Sequence, residues 1–110
     1  MKLPHNVSRV LDAVLGHEGE APQAVRVAVA DRATVAGGGI RSGSVVPDNL
    51  QAYVDKVTHT PYKVMDEDID SLKKHGYSED QIYEITIATA LGAAAGRLEK
   101  TLQLLDEDEK

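Results

Sequence analysis

Apolar residues in this chain recur at intervals of three and four rather than two, and they divide it into five helical stretches. Val7, Val10, Leu11, Val14 and Leu15 fall at i, i+3, i+4, i+7 and i+8, which predicts an amphipathic helix over residues 6–15. Asn6 or Ser8 is its expected N-cap and Gly16 its stop. After a polar link, Pro22 is placed as the first residue of a second helix whose face is Val25, Ala28, Val29, Ala33 and Ala36. Val25, Val27 and Val29 also alternate as a strand would. Frequent alanine, the lack of a partner strand and the closing Gly37-Gly38-Gly39 favour the helix.

Residues 37–47 read as a flexible linker. Its three glycines lack the Lys-Ser/Thr that a phosphate loop needs after them. Asp48 is the expected N-cap of a third helix, with Gln51 at N3 and Leu50, Tyr53, Val54 and Val57 as the buried face; Pro61 ends it. Residues 62–65 are then an extended joint. The fourth helix opens on Asp66, Glu67 and Asp68 and closes on Lys73, Lys74 and His75, the signs its dipole favours, with Gly76 as left-handed terminator.

The fifth helix carries the plainest signal. Ser78 and Gln81 form a capping box, and Tyr77 is placed to staple against Ile82. Ile82, Ile85, Ala88, Leu91, Ala95, Leu98, Leu102 and Leu105 follow at helical spacing, with no charge from Ile85 to Ala95, as in a central buried helix. The run is too short and too rich in alanine to cross a membrane. Gly92 and Gly96, one turn apart, invite another backbone close, within or between subunits. Residues 106–110 read as a frayed acidic tail. The expected fold is one all-α domain over residues 1–110, a bundle of about five helices with a long buried C-terminal helix.

Composition narrows the function. The core has no Trp or Phe to use and must be built from Ala, Val, Leu and Ile. A net charge of −6 argues against nucleic acid or an anionic membrane as partner. Lys2 is followed by Pro4, His5 and Asn6 rather than an apolar run, so a cytoplasmic protein is expected. Cysteine is absent, which removes thiolate nucleophiles, redox dithiols and sulfur-ligated zinc. No pair of histidines stands at i, i+4, so no metal site is expected, and no cofactor is implied.

Four residues remain as candidates for chemistry. Glu84 lies one turn into the fifth helix, where burial would raise its pKa toward that of a general base; a structural carboxylate bound to backbone amides is the alternative. His59, at the end of the third helix near Tyr62, can carry protons or serve the helix dipole. Arg97 can hold a substrate carboxylate or pair with an acid across a subunit boundary. Tyr62 is the companion substrate-binding candidate.

Leu50-x-x-Tyr53-x-x-Lys56-Val57, Tyr62-Lys63-Val64-x-Asp66-Glu67-Asp68, Leu72-x-x-x-Gly76-Tyr77-Ser78-Glu79-Asp80-x-Ile82 and Ala90-Leu91-Gly92-Ala93 together resemble a Cys-less branch of the carboxymuconolactone decarboxylase and alkylhydroperoxidase D-like family. The resemblance covers roughly residues 48–105. It implies an all-α fold assembled as dimers, trimers or hexamers. The family's redox motif, Cys-x-x-Cys-x-x-x-His, would fall on Pro61, Val64 and Asp68, and no Glu stands between Ala21 and Asp66, so thiol peroxidase chemistry is excluded. Two expectations follow. One is a homo-oligomeric protein with a structural or small-molecule-binding role, a small carboxylate being one possible ligand. The other is a cofactor-free enzyme of the decarboxylase type using Glu84 or His59 for proton transfer.

Overall fold

The computed structural model describes residues 3–39 and 45–108. The chain is all-α, with no strand among the described residues. Helix α1 spans His5–Gly16, α2 Gln23–Ala36, α3 Asp48–His59, α4 Asp66–Lys74 and α5 Glu79–Asp108; a 3₁₀ turn covers Pro61–Lys63. The valine alternation in α2 therefore carries no strand. Residues 40–44 of the expected linker lie outside the described residues.

The expected N-caps of α1 and α3 are replaced by one device, which α2 shares, with Pro22 just before the helix rather than its first residue. Pro4, Pro22 and Pro47 each stand immediately before the first helical residue, with φ of −54°, −55° and −51°. Their carbonyls take the first helical amides: Val7 and Ser8 donate to Pro4, Val25 and Arg26 to Pro22, and Leu50 to Pro47. The ring fixes the backbone for helix entry at no cost in hydrogen bonds, because the missing N–H would have been unsatisfied there. Asn6, Ser8 and Asp48 consequently fall inside their helices rather than on the caps.

At α5 the expected capping box is present. Ser78 N–H donates to Gln81 Oε1 at 2.9 Å, and Gln81 N–H to Ser78 Oγ at 3.1 Å. Gly76, with φ of 97°, closes α4 in the left-handed region. The joint after α3 is a 3₁₀ turn at its start instead of fully extended, because Lys63 and Val64 donate back to Thr60 and Pro61. Helix α5 continues through Asp108, so the first three residues of the expected frayed tail are helical. Its 30 residues make a rod of about 45 Å, which sets the long dimension of a 52 × 29 × 21 Å molecule.

The bundle is built on the crossing of α2 and α5, its most extensive helix pair. Gly92 faces the backbone of Ala30, and Gly96 that of Thr34. A Cβ on either glycine would sit under 3.0 Å from the opposing carbonyl. Four-residue steps match on both helices, so the two run parallel, joined by the crossover through α3 and α4. Thr34 fastens the contact: its hydroxyl is 2.8 Å from the Ala30 carbonyl and 2.9 Å from that of Gly92 across the interface. Val29, Ala33, Ala88 and Thr89 beside it are wholly buried. Helix α3 closes the other side with Leu50, Tyr53 and Val54, the Tyr53 hydroxyl meeting Thr86 Oγ1 at 2.6 Å.

Replacing Gly92 or Gly96 with Ala gains about 1 kcal/mol of helix propensity. It also forces the two backbones apart, an overpacking penalty of about 1–3 kcal/mol. Each variant is expected to unfold at lower urea concentration than wild type. Gly16→Ala, at a site with nothing within 4 Å, is expected to stay level or improve.

Candidate functional site

The link between α1 and α2 is gripped by two charged side chains from different helices. Glu84 of α5 accepts the amides of Glu20 at 3.1 Å and Ala21 at 2.7 Å, at the N-terminal end of α2. Gly19 lies so close that a Cβ there would meet the Glu84 carboxylate. A carboxylate in that place satisfies unpaired amides and the positive end of the helix dipole. Gln81, one turn earlier on α5, donates to the Glu20 carbonyl at 3.1 Å.

The second grip is Arg26 of α2, which is 2% exposed. Its Nε donates to the Ala21 carbonyl at 3.2 Å and Nη1 to the Val14 carbonyl at 3.1 Å, while Nη2 donates to the His17 carbonyl. The cation thus sits at the negative, C-terminal end of α1 and binds carbonyls instead of a carboxylate. Arg26 is a structural residue that sequence reasoning missed. Its signal was a single charge between Val25 and Val27 in an otherwise apolar stretch.

Arg97 serves the same purpose for α3, donating from Nη2 to the Thr58 carbonyl at 2.8 Å. His59 follows Thr58 on the exposed end of that helix, and Tyr62 is 80% exposed on the 3₁₀ turn. Glu84 and Arg97 are thirteen residues apart on one helix, about 20 Å along its axis. His59 and Arg97 therefore share the end of α3, and Glu84 stands apart from both. No hydrogen bond or ion pair joins any two of these four candidates. No group of three or more His, Cys, Asp or Glu able to hold a metal occurs among the described residues.

Other charges tie helices together at the surface. Arg32 grips Asp55 with two bonds of 2.7 and 2.9 Å between α2 and α3. The Arg32 hydrogen bond, with smaller contributions from its charge and that of His59, holds the Asp55 carboxyl below its ordinary pKa. Asp68 takes the Met65 amide at 2.8 Å and Lys56 Nζ at 3.0 Å, and the Met65 bond leads in lowering its pKa.

What remains open is apolar. Helix α1 has no buried residue, although its spacing is strongly amphipathic. Between it and α5 runs a groove of about 250 Å³ lined by Asn6, Val7, Val10 and Leu11 on one side and Leu91, Ala94, Ala95 and Leu98 on the other. Asn6 is the sole polar residue of the eight. Val10 is 54% exposed, and the groove opens to solvent along α5. The expectation of α5 buried all round thus holds for one face: Ile85, Thr89, Ala93 and Gly96 are buried, and Leu91 and Leu98 opposite them only half so. No helix among the described residues is long and apolar enough to cross a membrane.

Two measurements check these roles. Glu84→Ala strands the Glu20 and Ala21 amides and is expected to lower stability by about 1–3 kcal/mol in urea titrations, with Glu84→Gln milder. Because Asp55 and Asp68 titrate lower folded than unfolded, their contribution is fully present above the unfolded pKa of about 4 and fades as pH falls through the folded values. The urea midpoint is therefore expected to hold from neutral pH to about pH 5 and drop below pH 4, less steeply in Asp55→Asn.

No family model, curated protein or solved structure matches the chain.

Proposed function

We propose that this chain works by binding rather than by catalysis, as a homo-oligomeric helical protein with a structural or small-molecule-binding role. On this reading it is a Cys-less relative of the carboxymuconolactone decarboxylase and alkylhydroperoxidase D-like proteins, and the α1–α5 groove is its working surface. One observation carries the proposal: the two charged candidates, Glu84 and Arg97, are engaged with backbone, whereas the groove is apolar and open. Glu84 is held by two amides, and Arg97 spends a donor on the end of α3. A general base must reach a proton within about 3 Å, directly or through one water, and a separation of about 20 Å from Arg97 defeats that for Glu84, while His59 at the end of α3 lies exposed.

The groove has the character of a recognition surface for apolar matter. Seven of its eight lining residues are aliphatic, and the eighth, Asn6, stands at one end. A ligand there would be held by area removed from water, at about 25 cal/mol per Å². A small carboxylate would find no guanidinium among the lining residues. Carboxylate ligands are accordingly expected to bind elsewhere or not at all.

The test is binding of 1-anilinonaphthalene-8-sulfonate by dilute protein. Wild type is expected to enhance dye emission, and Leu91→Glu, which places a charge in the groove, to weaken binding at least about tenfold. Dye emission unchanged by Leu91→Glu would overturn the assignment of the groove. Restoration of the enzyme reading would require a thermal shift with small carboxylates that disappears in Glu84→Gln.

A further inference from the structure

We propose that the occupant of the α1–α5 groove is a second copy of this chain, with the outer stripes of two α5 helices crossing antiparallel about a two-fold axis near Leu98. The inference rests on the reading of the groove as the working surface and names its partner. Ile87, Leu91, Ala94, Leu98 and Leu105, with Thr101 between the last two, fall at alternating steps of four and three along α5. That is the 3.5-residue repeat of a helix–helix seam. None of these six residues is buried in the single chain.

The seam also outruns its internal partner. Leu98 is the residue furthest along α5 that lines the groove with α1, and α2 ends at Ala36. Beyond that point Leu102 is half-buried and Leu105 is 53% exposed, so among the described residues the apolar stripe continues for two turns past the groove. With the axis at Leu98, Leu105 of each copy, seven residues on, lies over Leu91 of the other. There Val10 and Leu11 leave the groove open, and the two exposed apolar features cover each other. A two-fold interface of this kind is self-complementary by construction.

Charge selects the antiparallel direction. The end of α5 is acidic from Asp106 onward, and a parallel pair would set two such ends side by side. The antiparallel pair separates them and lays each against a stretch, Ile85 to Ala95, that holds no charge. On α1, Asp12 lies on the side turned toward α2, lining a hollow with Ala30 and Thr34, and so is not presented to the groove.

The test uses the absence of cysteine. A V10C/L105C double variant of the full chain is oxidised mildly at micromolar concentration, and light scattering follows the wild-type mass and that of Leu105→Glu. Val10 and Leu105 are too far apart in one chain to join, since the groove that Val10 lines extends along α5 no further than Leu98, seven residues or about 10 Å short of Leu105. The expected results are a wild-type dimer, a covalent dimer of the double variant, and dimerisation weakened at least about tenfold by Leu105→Glu with its helical circular dichroism retained. A wild-type monomer would overturn the inference. So would a dimer indifferent to Leu105→Glu in which the double variant forms no more covalent dimer than a Y83C/H75C control. In either case dye binding by dilute protein that is lost in Leu91→Glu would leave the groove's role as a binding surface standing, and its absence would remove both.

Discussion

The closest approach in this molecule is of backbone to backbone, where Gly92 and Gly96 of α5 meet Ala30 and Thr34 of α2. Small side chains on both sides make that possible, and Thr34 turns proximity into a bond by reaching the Gly92 carbonyl. The rest of the bundle follows from it. A core with neither Phe nor Trp has little volume per residue, so it reaches native packing density by bringing helices together rather than by filling space between them. The parallel course of α2 and α5 then requires the chain to return to the start of α5, which is what α3, the 3₁₀ turn and α4 accomplish.

The five helices were legible because their signals are local. Periodicity of three and four placed each apolar face, and Ser78 with Gln81 placed the start of α5 to the residue. The glycine pair announced a close contact without naming its partner, since nothing within α5 tells whether α2, another helix or another subunit will arrive. The caps on α1 and α3 were misread for a specific reason. Asn6, Ser8 and Asp48 are good capping residues by type, and the prolines just upstream outrank them because a fixed φ commits the chain before a side chain can. The acidic end of α5 remains helical where its composition suggested fraying.

The polar candidates were legible by residue type and not by task. Glu84, Arg26 and Arg97 solve one problem three times: each puts a charge at a helix end, where backbone groups lack partners. Glu84 at the entry of α2 and Arg26 at the exit of α1 hold opposite sides of one short link, so α1 is placed by its C-terminal end rather than by burial of its face. That is why an amphipathic helix can lie over α5 with none of its residues buried. From sequence, a carboxylate in an apolar helix reads equally as a base or as a cap; long-range geometry separates the two, and Glu84 finds its amides 63 and 64 residues away.

A helix with two apolar faces needs two partners to keep both from water. For α5 the glycine-bearing face has α2, in a contact that no other helix could reproduce without the same small residues. The leucine-bearing face has α1, which is shorter, stops near Leu98 and leaves the groove half open. Apolar area left in water in this way is a standing free-energy difference, about 0.8 kcal/mol for each methylene that a partner would bury. A chain whose helices were selected only to pack against one another would carry charge on that outer stripe, as α4 does on its exposed side with Asp70, Lys73 and Lys74. The contrast between those two helices within one fold is the physical reason for proposing the outer stripe of α5 as a binding surface.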